Sequence, residues 1–414
     1  HRALAREAAQ KSIVALKNDD ALLPLPDTGT IAVIGALADQ ANLGDHGSSD
    51  TRPASVVTPL AGLKQAAPNA RITYSTGADQ QRAAALAAEA DTAVVVVGLS
   101  WRNEGEHIEI SDVQATLRRV PPPDPLRRLV PANLLSTVWS PVARGLAAVA
   151  RRAPSGRAAG TPEGFTAGDR TNLRLDPRDE ALVRAVAAAN PRTVVVLTGG
   201  GAIVTEAWRH DVPAILLLWY PGMEGGHALA DVVFGRVSPS GRMPFTVPTD
   251  HAHLPTFDPR ATSITYDLWH GYRLANRDGH TAAFPFGHGL SYSTFAYTDI
   301  DVSESDEGVD VTVTVTNTGT VTAADVVQLY VEPPGTAVER PARQLAGFTR
   351  VELEPGEHAR AGVTIPWRTL AYFDEDADGF VLEKGPHRLT VCRDAQASPD
   401  QTVALDVTGR LVGA

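Results

Sequence analysis

The sequence predicts two successive folds: an open, mainly parallel α/β sheet with helices on both sides, followed by a small all-β sandwich. Three observations carry this. Four short runs, IAVIGA at 31–36, TAVVVVGL at 92–99, TVVVLTGG at 193–200 and AILLLWY at 214–220, are almost continuously apolar. That is the form of strands covered on both faces in a parallel sheet. Helical stretches such as Asp79–Ala90 and Pro177–Ala189 separate them, which gives the alternating order of an α/β domain. After about residue 298 the pattern changes. VDVTVTVTNTG at 309–319 alternates strictly, with Val311, Val313 and Val315 on one face and Asp310, Thr312 and Thr314 on the other.

The elements follow in order. RALAREAAQKSIVAL at 2–16 has helical spacing and is expected to end near Lys17–Asn18; LLPLP at 22–26 then runs extended because of its prolines. Residues 1–30 thus form a linker helix and extended segment, and 31–248 the α/β domain. Ligands of such sheets sit beyond the carboxyl ends of the strands, so the loops after Ala36, Leu99 and Gly200 are where chemistry is expected. Region 110–168 interrupts the rhythm with PPPDPLRRLVP, a short amphipathic stretch near 143–152 and PSGRAAGTPEG. It reads as a loop-rich insertion, a lid or a disordered segment. A connector rich in Pro, His and aromatic residues fills 249–298. DVVQLYVEP, QLAGFTRVELEPGE, ARAGVTIP and HRLTVCRD then follow at short intervals within 299–414, as expected for an immunoglobulin-like or fibronectin type III-like sandwich.

Composition narrows the function. The chain has 414 residues and a net charge of −11, which argues against nucleic acid as a partner. Its longest apolar runs are too short to span a bilayer, so no membrane is expected. The single cysteine, Cys392, rules out an intramolecular disulfide and is expected as a partly buried strand residue. This usage fits the cytoplasm and leaves secretion open. No secretory signal is visible at His1. The histidines show no metal-binding spacing, and the glycines at 199–201 lack both nucleotide-loop patterns, so no metal or cofactor is expected. No G-x-S-x-G elbow surrounds Ser48 or Ser49, against a serine hydrolase.

The sharpest candidate for chemistry is WRNEGEHIE at 101–109, which places Glu104, Glu106 and Glu109 in a loop directly after a buried strand. Glycosidic cleavage needs a carboxylic acid that protonates the leaving oxygen and a second carboxylate across the sugar. Read alone, the same loop is also an ordinary solvated acidic turn. NLGDHGSSD at 42–50 offers Asp45 and His46 to sugar hydroxyls, and equally makes a plain turn.

Two further blocks are more distinctive: WYPGMEGGHALADVVFGRVSPSGRMP at 219–244 and FPFGHGLSY at 284–292. With the opening HRALAREAAQKSIVALKNDDALLPL, GDRTNLRL at 168–175 and GFTRVELEPGE, they resemble the C-terminal half of family 3 glycoside hydrolases, the β-glucosidase-like enzymes. The resemblance covers the chain apart from 110–168. It implies a retaining, exo-acting hydrolase of β-linked glucosides or oligosaccharides, whose aspartate nucleophile lies on a barrel domain expected upstream of His1. It implies Glu104, in the Glu-Gly step, as general acid/base. Because Glu106 follows Gly105 where the family commonly has a bulky residue, a register shift makes Glu106 the alternative. Asp169 and Arg170 are implied to orient the acid loop, and Asp45, His46 and Arg170 to line the sugar site. Pro221–Gly222, Gly225–Gly226 and Glu224 are expected to be structural. A catalytically silent carbohydrate-binding or assembly module is the other reading.

Overall fold

The computed structural model describes residues 1–44, 51–105, 170, 172–258, 261–335 and 337–412. They fall into two compact units: His1–Asn42 with Pro53–Gly98 and Asn172–Ala414, and a smaller one of Leu43–Arg52 with Leu99–Thr171. The predicted insertion, including the stretch near 143–152, lies outside the described residues. No described helix is long and apolar enough to cross a membrane.

The larger unit opens with helix α1 (Arg2–Ser12), followed by strands β1 (Val14–Asn18) and β2 (Thr28–Ile34), helix α2 (Pro59–Ala66), β3 (Asn69–Ser75), α3 (Gln80–Ala88) and β4 (Thr92–Gly98). The smaller unit contributes one helical turn, α4 (Trp101–Glu104). The larger then continues with α5 (Pro177–Ala189), β5 (Thr193–Thr198), β6 (Ala214–Leu217) and α6 (Gly225–Val233). The six strands form one sheet in the order β1-β6-β5-β4-β2-β3, parallel except for β1. All four predicted runs are neighbours in it. Alternate residues from each run, Val33, Val94, Val196 and Leu216 among them, share a core with Leu63 of α2 and Leu229 of α6. On α5, Pro177 at the first position and the Asp176 side chain, accepting from the Arg178 N–H at 2.9 Å, define the start. Gly226 has the structural role expected of it: a Cβ there would lie 2.1 Å from the Thr58 carbonyl oxygen, so α6 starts against the chain entering α2.

The expected end of the first helix is corrected. Helix α1 stops at Ser12, and Val14–Asn18 becomes an antiparallel edge strand against β6. Ile13 and Val14, both β-branched and fully buried, gain more from completing the sheet than from another helical turn. Strand β3 was not expected at all; its part-exposed NARITYS has no apolar run, although Ala70, Ile72 and Tyr74 alternate with Arg71 and Thr73 and pack on the core.

The same unit continues through β7 (Val247–Pro248), α7 (Gly271–Asp278) and β8 (Ala282–Phe284) into antiparallel sheets. One has the order β13-β10-β9, the other β12-β11-β16-β17, formed by β9 (Phe295–Glu304), β10 (Gly308–Asn317), β11 (Ala323–Glu332), β12 (Gln344–Leu353), β13 (His358–Pro366), β16 (Gly385–Cys392) and β17 (Gln401–Val407). A single helical turn, α8 (Trp367–Leu370), leads to a third small sheet of β14 (Tyr372–Asp374), β15 (Gly379–Leu382) and β18 (Arg410–Val412). This is the predicted sandwich, and its register agrees with the alternation. Val311, Val313 and Val315 are buried in its core with Leu329 and Leu389, while Thr312 and Thr314 are only partly covered. Cys392 is buried, and burial is the first cause of its raised thiol pKa.

The two distinctive sequence blocks stitch the sandwich to the α/β sheet. Arg242 of the first forms an ion pair with Asp325 on β11, which also accepts the Tyr297 hydroxyl proton. From the second, the Gly287 carbonyl accepts from the Gln328 side chain at 2.9 Å, His288 Nε2 donates to the Leu16 carbonyl at 2.9 Å, and the Tyr292 hydroxyl donates to the Val232 carbonyl at 2.9 Å. Buried polar groups that must be paired thus hold the junction in one arrangement.

Candidate functional site

At the carboxyl end of β4 the chain leaves the larger unit at Gly98, with φ 144°. A Cβ here would sit 2.1 Å from the Thr198 carbonyl oxygen, so only glycine lets β4 and β5 run side by side to their last residues. Thr198 in turn accepts from the Asn42 amide at 3.2 Å. Beside this edge Trp219 adopts a left-handed backbone, φ 60°, directly after β6. Its indole N–H donates to the Ser12 carbonyl at 2.9 Å, and its ring meets Phe245 edge-on with centroids 5.8 Å apart. Non-glycine residues held in this region are strained and cluster at functional sites.

Asp179, in the first turn of α5, also bears on this edge. Burial, then the neighbouring Asp176, push its carboxyl up to about 6, and the Gly98 backbone N–H works against them. Neither Asp179 nor Trp219 was singled out from sequence. Asp179 reads there as an ordinary acidic residue at a helix start, and a tryptophan at a strand end carries no sign of its backbone conformation.

In the smaller unit, Ser100 caps α4. Its hydroxyl accepts from the Arg102 N–H at 3.3 Å, while the Asn103 side chain reaches back to the Ser100 N–H at 3.2 Å. The turn delivers Glu104, and Gly105, in an extended conformation, ends it. The Glu104 carboxylate lies 3.3 Å from the Arg170 guanidinium, with only 13% and 16% of the two side chains exposed. The Arg102 guanidinium lies over the Trp101 ring, 4.7 Å from its centroid. Of the predicted site residues, the structure therefore brings together Glu104 and Arg170. Asp45, His46, Glu106 and Asp169 lie outside the described residues. An arginine's rigid fork of donors can hold such a carboxylate in one orientation.

Glu224 matches its structural expectation. It is buried beneath α1, where it pairs with Arg2 at 2.6 Å and with His227 Nδ1 at 2.6 Å.

Comparison with known proteins concerns the chain as a whole. The profile described as the glycosyl hydrolase family 3 C-terminal domain matches residues 13–292, and a fibronectin type III-like domain matches residues 325–395. Thermostable β-glucosidase B of Acetivibrio thermocellus is 31% identical over 96% of this chain, which corresponds to 47% of that protein. Probable β-glucosidase J of Emericella nidulans is 38% identical over 55% of this chain and 26% of its own. The crystal structure of a family 3 β-glucosidase from Bifidobacterium adolescentis superposes on 99% of this chain with a TM-score of 0.78 and 29% identity, and 53% of that protein is covered. The chain thus spans about half the length of the relatives that it matches along its whole length.

Proposed function

The chain belongs to glycosyl hydrolase family 3, and from that membership we propose that it is the acid-bearing part of a retaining, exo-acting β-glycosidase that removes terminal β-linked sugars, glucose foremost. The observation that supports this is the Glu104–Arg170 pair. Two residues from the Glu-Gly and Gly-Asp-Arg blocks, far apart in sequence, meet at 3.3 Å with little exposure. In this reading Glu104 protonates the glycosidic oxygen as the bond to the sugar breaks, then accepts a proton from the water that releases the sugar. Arg170 positions the Glu104 carboxyl. The nucleophile is an aspartate on a barrel domain outside this sequence, at the roughly 5 Å carboxyl separation of retaining enzymes. Glu106 is the alternative acid, and Asp45 and His46 bind sugar hydroxyls. The boundaries 31–248, 249–298 and 299–414 are part of the same proposal.

The test is the leaving-group dependence of Glu104→Gln in the chain joined to a family barrel. Hydrolysis of glycosides with poor leaving groups should fall steeply, activated aryl glycosides should be spared in the first step, and azide should rescue the second. If Glu106→Gln gives this behaviour in place of Glu104→Gln, the acid is Glu106. Turnover by the 414-residue chain alone, lost in Glu104→Gln, would put both carboxylates in this sequence and end the two-domain scheme. An assembled protein that binds glucosides without hydrolysing them would make the chain a silent binding module.

A further inference from the structure

His387 on β16 is fully buried, and the proposed chemistry makes no use of it. Strand alternation puts its ring on the same face as Leu389 and Val391, in the sandwich core, and it stands opposite Leu405 of β17. Its Nδ1 donates to the Gly385 carbonyl at 3.3 Å, so in the neutral ring Nε2 carries the bare lone pair. Nε2 has no hydrogen-bond partner among the described residues. A buried polar atom left unpaired costs stability and calls for a reason.

Two charged side chains, Arg340 and Glu383, bear on this ring. Glu383, in the turn between β15 and β16, is 4% exposed, and its carboxylate accepts from the Ala337 N–H at 2.9 Å. The Arg340 guanidinium is partly buried and donates to the carbonyls of Leu370 at 2.9 Å and Ala371 at 3.4 Å. Ala337 and Arg340 both belong to the short segment 337–341 that leads into β12. The same two side chains that act on His387 therefore hold this segment to the sandwich. Burial pushes the His387 pKa below its ordinary value and Arg340 adds to this, while the Gly385 bond and Glu383 oppose it. Burial likewise lowers the Arg340 pKa, against Glu383 and Tyr372.

We propose that His387 is an acid-sensitive latch of the sandwich: neutral, it stays in the core with segment 337–341 closed over it; protonated at Nε2, it leaves the core and frees that segment from Glu383 and from the Leu370 and Ala371 carbonyls. The step is the uptake of one proton from solvent. The new N–H meets no acceptor in the core, and its charge joins that of Arg340 beside a single carboxylate. The ring of an unfolded or opened chain binds its proton near pH 6.5, about one ordinary histidine value, and the closed one only at lower pH. Between the two the opened state holds more protons, so closure is full above about 6.5 and is lost as the pH falls. Opening uncovers Pro341, buried in the closed state, and loosens the edge strand β12. The latch goes beyond the hydrolase reading and does not depend on it.

The test is hydrogen exchange of the Ala337 amide in the 414-residue chain, corrected for its intrinsic rate, at about pH 7.5 and about pH 5. Protection is expected to fall about tenfold at the lower pH. In His387→Phe, which fills a similar space and takes no proton, protection should be the same at both. A titration of isotope-labelled histidine rings gives a second measurement that needs no variant: the His387 ring should change over the same pH range in which Ala337 loses protection. The latch is overturned if Ala337 keeps its protection in the parent at the lower pH. It is also overturned if His387→Phe loses protection as the parent does, which would put the titration on Glu383. Should His387→Phe fold poorly, coincidence of the two curves in the parent supports the latch, and their separation overturns it.

Discussion

Glu104 and Glu224 are both carboxylates held by an arginine and largely shielded from water, yet they are built in opposite ways. Glu224 and its companion Asp231 lie under α1, whose Arg2, Arg6 and Gln10 project at successive turns onto them. Arg6 grips Asp231 with two bonds of 2.6 and 2.7 Å, Gln10 adds one of 2.6 Å, and His227 links Glu224 to Gln65. Burial pushes the Glu224 carboxyl up, and the bonds from His227 and Arg2 outweigh it, leaving the pKa low. Glu104 sits instead on a single helical turn, ion-paired at 3.3 Å to an arginine from a distant part of the sequence. A carboxylate saturated by donors at helical spacing belongs to the scaffold. In the proposed function, one delivered by a short turn after a sheet strand meets the substrate.

Breaking the two clusters should therefore give different kinds of loss. The largest effect expected is Glu104→Gln in the barrel-joined protein, about a hundred- to ten-thousandfold on kcat for a poor leaving group. Its melting temperature should stay within a degree or so of the parent, since the turn keeps its caps. A comparable loss of stability would place Glu104 with the scaffold. Next is Asp231→Ala, which removes the acceptor of Arg6 and Gln10 and should cost about 2–3 kcal/mol in denaturant unfolding. Steady-state hydrolysis by the remaining folded protein should be unaltered. Arg170→Ala should slow hydrolysis about ten- to a hundredfold by loosening the acid. It should preserve the leaving-group dependence; if that dependence is abolished, Arg170 does more than position Glu104.

The smallest effect concerns Asp179. Its folded pKa, raised to about 6 by burial and by Asp176, means that the carboxylate charge costs stability once it forms. Stability from this group is full below the unfolded value of about 4 and is lost as the pH rises through 6. Asp179→Asn should thus raise the melting temperature at pH 8 by a few degrees at most and give no gain at pH 4. A gain that is equal at both pH values would show that the carboxylate's titration is not the cause.

Much of this molecule was legible in the sequence, because its signals are local. Double-sided apolar runs specify strands covered on both faces, which is enough to put β2, β4, β5 and β6 in one sheet. The alternation at 309–317 specified which valines face the sandwich core. The Glu-Gly step and the downstream Gly-Asp-Arg were visible as motifs, and only the family resemblance implied that they meet, since nothing local encodes which distant arginine closes on which acid.

What only the tertiary structure decided are choices settled by competition between distant segments. Ile13 and Val14 could extend a helix or pair with β6, and burial at the sheet edge chose pairing. The expected helix therefore ends at Ser12. Trp219 takes a strained backbone, and Asp179 an elevated pKa, only because of what packs around them. The sequence by itself determined the type of most elements, the register of the β10 alternation and the family, through periodicity and short motifs that act over a few residues. The pairing of Glu104 with Arg170 and the stitching of Arg242 to Asp325 are long-range outcomes. Which partners and how much water each side chain keeps is a property of the packed chain as a whole.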